Sequence, residues 1–296
     1  MHTRSRLSPT SRPRWRAARA AVCAAVFASI ALPAGVSTPA VASVRSIEVR
    51  TGLPWRTISG ETLTLDLYLP DGDAGSRPAV LLVHGGGWRG GDRSDLALEA
   101  GAIAERGGVA ISIDYRLAPA HPYPAAVDDV IAALRWLRDD AQVRRYGIDA
   151  SRIAVGGVSA GGQLAAMAGT LGRGSERVAA VVTWSGVFDF GALDFLDPAV
   201  LGCTPEHCPA LAAVASPITH VGRGDAPMLL VTARHDRITP VAQSIDMARA
   251  LRRVGVAHEL VTVSGRGHAT QLAAEAAVPS LEFLARIIGL ARIEIP

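Results

Sequence analysis

Arg152-Ile153-Ala154-Val155-Gly156-Gly157-Val158-Ser159-Ala160-Gly161-Gly162-Gln163-Leu164-Ala165-Ala166-Met167-Ala168 joins a short apolar run to a run of helix formers. The first part reads as a buried strand and the last as a helix. Between them, Gly157-Val158-Ser159-Ala160-Gly161 is a Gly-x-Ser-x-Gly turn, the pattern of a nucleophile elbow, which holds a serine on a tight, strained backbone. Flanking glycines let neighbouring backbone pass where a Cβ would clash. The helix N-terminus beside Ser159 favours negative charge on an attacking oxygen. The competing reading is a serine that merely caps the helix.

Working outward, apolar runs recur at intervals that suit strands. Leu63–Leu69 alternates as an antiparallel strand does, whereas Ala79–Val83 and Val109–Ile113 are continuous, as expected for strands buried on both faces. Val178–Thr183, Met228–Thr232 and Leu260–Val263 extend the series. Ala125–Asp139, Val241–Leu251 and Ala269–Leu290 have helical spacing. Strands alternating with helices predict an α/β fold with a mostly parallel central sheet and helices on both faces. Sites in such sheets form at the carboxyl ends of the strands.

The loops at those ends carry the pieces that serine acyl transfer requires. Ser159 is the candidate nucleophile. His268, in Gly265-Arg266-Gly267-His268 after the last strand, is the candidate base; the competing reading is an ordinary loop histidine. Asp236, after the Met228–Thr232 strand, is the candidate acid that orients the base, with Asp189 as its rival and a loop ion pair to Arg234 or Arg237 as the alternative role. The order Ser, Asp, His differs from that of the chymotrypsin and subtilisin types. Three glycines in His84-Gly85-Gly86-Gly87-Trp88 let backbone N–H groups converge on a developing oxyanion. A phosphate-cradling loop would require a following lysine, and the chain contains none.

The N-terminus has the pattern of an export signal. Arg4, Arg6, Arg12, Arg14, Arg16 and Arg19 precede an apolar stretch from Ala20 to Leu32, and Ala40-Val41-Ala42 matches a cleavage site. Residues 1–42 are expected to be a cleaved secretory signal, leaving 43–296 as one catalytic domain. The apolar run is too short to span a bilayer, so no stable membrane insertion is expected after cleavage. Removing the six arginines turns the net charge of +3 into about −3, which takes away the main support for nucleic-acid binding. Cys203 and Cys208 are expected to form a small-loop disulfide in an exported protein. The alternative, a metal clip with His207, has too few ligands. No metal or cofactor is expected.

Taken together, His84–Trp88, Asp114-Tyr115-Arg116-Leu117-Ala118-Pro119, Pro124–Asp129, Gly157–Gly162 and the Asp236 and His268 loops resemble α/β-hydrolases. The similarity is to the hormone-sensitive-lipase-like esterases and the adjoining bacterial feruloyl-esterase-like group, and it covers nearly the whole mature chain. By this resemblance Gly86, Gly87 and Ala160 supply the oxyanion N–H groups, and the 114–119 and 124–128 segments buttress the site. Two departures stand out. Val158 occupies a position that is usually acidic in the lipase-like group, and the residues before His84 read as strands rather than a helical cap. Little or no cap domain is therefore expected. Trp88 and Trp184 are placed at the cleft as aromatic platforms, against ordinary packing as the other reading.

The resulting expectation is a secreted serine carboxylester hydrolase that acts through an acyl-enzyme on short-chain or polysaccharide-linked acetyl or feruloyl esters. A prolyl-oligopeptidase-like peptidase, the alternative, would need a large extra gating domain, and none fits here. A non-catalytic binding protein on the same fold would be expected to have lost members of the triad.

Overall fold

The structure is a computed structural model that describes residues 46–72, 75–193 and 196–292. The expected signal segment, residues 1–42, lies outside them. In chain order the elements are β1 (Ile47–Ile58), β2 (Glu61–Pro70), β3 (Arg77–Val83), α1 (Ala97–Ala104), β4 (Val109–Ile113), α2 (Ala125–Arg138), α3 (Asp140–Tyr146), β5 (Ile148–Val158) and α4 (Ala160–Leu171). There follow β6 (Ala180–Trp184), α5 (Pro198–Leu201), α6 (Pro209–Ala215), β7 (Met228–Ala233), α7 (Val241–Val254), β8 (His258–Val263) and α8 (Ala273–Ile288).

The strands form one sheet in the order β1-β2-β4-β3-β5-β6-β7-β8. β1 and β2 pair antiparallel, as do β2 and β4; the other pairs are parallel. Side chains alternate across the central strands. Leu81 and Val83 of β3, with Ile153 and Val155 of β5, face a core closed by α2, α4 and α7. Val80, Leu82 and Ala154 face a second core closed by α1 and α8. The two covered faces explain why Ala79–Val83 and Val109–Ile113 read as nearly continuous apolar runs. α2 buries Val127, Val130, Leu134 and Leu137 on one stripe, each side chain worth about 1.5–3 kcal/mol in removed apolar surface.

The architecture is the expected α/β sheet, with differences in detail. The residues before His84 read as strands, but the bounds of β1 are not marked in the sequence, because Gly52 and Pro54 interrupt its alternation and the strand is an irregular sheet edge. The terminal helix is shorter than expected: Ala269–Leu272 forms a separate 3-10 turn before α8. The described residues between Ser46 and His84 are strands and turns, so no helical cap lies among them. No helix among the described residues is long and apolar enough to cross a membrane.

Candidate active site

β5 runs straight into the elbow. Ser159 has φ 54° and ψ −119°, and its side chain makes no capping bond to α4. The turn survives because its neighbours lack side chains. A Cβ on Gly157 would lie 2.1 Å from the Gly161 carbonyl oxygen, and one on Gly161 would lie 2.1 Å from the Val83 carbonyl oxygen. The Ser159 N–H donates to the Trp184 carbonyl at 2.8 Å, tying the elbow to β6.

The other two candidates hang from later strand ends and converge on this serine. His268 Nε2 lies 2.8 Å from Ser159 Oγ, and its Nδ1 lies 2.8 Å from Asp236 Oδ2. The second oxygen of Asp236 accepts the N–H groups of Ile238 at 2.8 Å and Thr239 at 3.0 Å. Burial pushes the Asp236 carboxyl up, but the bonds from His268, Thr239 and Ile238 outweigh it and leave the group below the ordinary carboxylate range. Asp236 therefore stays ionised beside the imidazole. Its rival, Asp189, instead accepts the Gly191 N–H at the start of a 3-10 turn.

The glycine loop after β3 folds back on itself, the Gly86 carbonyl accepting the N–H groups of Arg89 and Gly90 at 3.2 and 3.1 Å. Gly86 and Gly87 take φ values of 111° and 62° and line the same cleft as Ser159 and His268. Ala160 opens α4, where the first N–H groups have no partner within the helix. His84 anchors the loop from below. Its ring stacks on Tyr115 at 4.3 Å, its Nδ1–H donates to the Gly85 carbonyl at 2.7 Å, and the Tyr115 hydroxyl donates to the His84 carbonyl at 3.1 Å.

Burial pulls the His84 pKa below its ordinary value, against the Gly85 bond and the charges of Asp114, Asp95 and Asp92. The unfolded chain therefore takes up this proton at higher pH than the folded one, so the stability that the neutral ring contributes is full above about 6.5 and is lost as pH falls toward the lower folded value. The melting temperature should drop between pH 7.5 and 5.5, where carboxylates are already ionised. His84→Asn should lower stability and flatten that slope; an unchanged slope in thermal melts would count against the assignment.

The cleft has a volume of about 380 Å³. Leu193, Leu196, Val200 and Ile238 line it, together with Asp197, which forms an ion pair with Arg89. Leu193, Leu196 and Val200 lie between β6 and β7 and Ile238 follows β7, in stretches where apolar residues follow no long period that would mark them in the sequence. Trp88 lines the cleft; its Nε1–H donates to Gln163 Oε1 at 3.0 Å and its ring lies 5.0 Å from Phe190. Trp184 does not line it. As the last residue of β6 it points to the opposite face, where it is buried and donates to Ser280 Oγ at 2.9 Å. Val158 faces the same way, into an apolar cavity between the sheet and α8. The structure joins Cys203 to Cys208, with Cα atoms 6.2 Å apart, and His207 Nδ1 instead pairs with Thr204 Oγ1 at 2.7 Å.

An eight-stranded, mostly parallel sheet with a serine elbow after a central strand defines an α/β-hydrolase. Within that class the profile of the BD-FAE family matches residues 65–251, and the chain belongs to this family. It is 35% identical over 219 residues to the esterase LipC of Mycobacterium tuberculosis, covering 66% of this chain and 53% of LipC. It is 32% identical over 241 residues to an ethyl acetate hydrolase of Pseudomonas putida, covering 72% of each. The chain spans about half the length of LipC and less of several other curated relatives. Its fold is similar to that of a truncated carbohydrate esterase from gut microbiota, with a TM-score of 0.72 at 24% identity over 82% of this chain and 96% of that one.

Proposed function

We propose that the protein is an exported serine carboxylester hydrolase. The observation that carries this is the unbroken line from Asp236 through His268 to Ser159, two contacts of 2.8 Å, opening on an apolar cleft beside a glycine loop. Ser159 Oγ attacks the ester carbonyl while His268 Nε2 takes its proton. The carbonyl oxygen becomes an oxyanion held by the N–H groups of Gly86, Gly87 and Ala160. Collapse breaks the ester C–O bond, and the leaving alcohol takes the proton from Nε2. Water then repeats the sequence on the acyl-enzyme, releasing the acid and free Ser159. Asp236 holds the imidazole with its proton on Nδ1 and stabilises the imidazolium.

The substrates are short-chain esters or acetyl and feruloyl groups on polysaccharide; ester-hydrolysing relatives and a cleft of this size support that range. Residues 1–42 direct export and are removed, and 43–296 form the single catalytic domain. The Cys203–Cys208 pair agrees with an oxidising destination. A fluorophosphonate probe should label Ser159, mapped by peptide mass, and abolish hydrolysis of p-nitrophenyl acetate in proportion to labelling. Acetyl-xylan and methyl ferulate would then define the range, and aminoacyl-proline amides should be left intact. Full hydrolysis by fully labelled protein would overturn the proposal.

A further inference from the structure

Ser185 lies one residue beyond β6, and the acyl-transfer steps above leave its side chain unused. It is fully buried and has φ 50°, in the left-handed region that a residue with a Cβ occupies only under constraint. Its N–H donates to the Val231 carbonyl at 2.8 Å, which fixes it to β7. Its Oγ accepts the N–H of Ala269 at 3.1 Å. Ala269 follows His268 directly and is itself left-handed, with φ 53°.

The flanking residues hold the other half of the site. The Trp184 carbonyl accepts the Ser159 N–H, and Gly162 of α4 packs so closely on Gly186 that a Cβ there would come within 2.9 Å of the Gly186 Cα. Three consecutive residues thus touch both the elbow and the histidine loop. The backbone on either side of Ser185 fixes Ser159, and the Ser185 hydroxyl fixes the chain beside His268.

We propose that Ser185 is a positioning residue whose hydroxyl sets the reach from His268 Nε2 to Ser159 Oγ. This rests on reading those two residues as base and nucleophile. Without the hydroxyl, the Ala269 N–H loses its acceptor and the histidine loop relaxes. A misplacement on the order of 1 Å costs about 100-fold in rate.

Three substitutions separate the hydroxyl from the backbone, with Ser159→Ala as control. Ser185→Gly accepts φ 50° without strain but has no acceptor, Ser185→Ala lacks the acceptor and keeps the strain, and Ser185→Thr keeps the hydroxyl. Rates are taken per active site titrated with a fluorophosphonate, and melting temperature is followed alongside. Ser185→Gly and Ser185→Ala should lower kcat on p-nitrophenyl acetate by about 10- to 100-fold, with KM within about twofold, and slow phosphonylation of Ser159 in the same proportion. Ser185→Thr should retain most of both rates. Wild-type kcat in folded Ser185→Gly, or equal losses in Ser185→Thr and Ser185→Gly, would overturn the proposal while leaving the esterase reading intact. Wild-type turnover by Ser159→Ala would remove that reading and this proposal together.

Discussion

Asp236→Asn is expected to lower kcat for ester hydrolysis by about 10 000-fold while the protein stays folded. The reason lies in what each oxygen of Asp236 does. Oδ1 accepts the N–H groups of Ile238 and Thr239, and an asparagine keeps that oxygen in place. Its NH2 group then faces His268 Nδ1, where Asp236 now presents Oδ2. An NH2 donates, so Nδ1 must accept and the ring proton moves to Nε2. A protonated Nε2 is unable to take the proton of Ser159. The loss should fall on kcat with the melting temperature nearly unchanged, since the loop keeps its backbone contacts. An Asp236→Asn protein within tenfold of wild-type turnover would show that the carboxylate does not set the tautomer.

Gly161→Ala is expected to be among the most damaging single-methyl additions to the described residues. The added Cβ would lie 2.1 Å from the Val83 carbonyl oxygen and 2.4 Å from that of His84. Both belong to backbone at the end of β3, so neither rotates aside, and α4 would have to withdraw from the sheet. Overpacking of this kind costs about 3 kcal/mol or more, a fall of roughly 10 °C in melting temperature for a domain of this size. Activity should be lost as well, because the same shift moves Ser159 and Ala160. Gly87→Ala is the contrast. A Cβ there meets nothing within 4 Å, and the penalty is the left-handed φ of 62°, about 1–2 kcal/mol. Equal thermal destabilisation by the two substitutions would refute the steric account.

What could be read in advance divides along physical lines. The elbow was readable because strand, turn and helix each leave a local mark around Ser159, and Asp236 and His268 because they follow strands with strong apolar runs. The bounds of β1 were not, since an edge strand with a glycine and a proline has no clean period. The placement of Trp184 failed for a different reason. Which face a residue takes depends on pleat and register, and at a strand end a shift of one residue reverses the outcome. The cleft walls and Ser185 depend on tertiary contacts: nothing near Ser185 in the chain announces an N–H arriving from residue 269.

The wall residues Leu193, Leu196 and Val200 come from the chain between β6 and β7, whereas the Ser159, His268 and Asp236 contacts run through none of them. That stretch is tethered by its own fastenings: Ser216 to Phe190, Gln163 to the Ala215 carbonyl, and the Cys203–Cys208 link. Its part beyond Ser185 and Gly186 can therefore vary apart from the contacts among Ser159, His268 and Asp236. Changes confined to that part would alter the cleft wall while Ser159, Asp236 and His268, carried on the loops after β5, β7 and β8, keep their contacts.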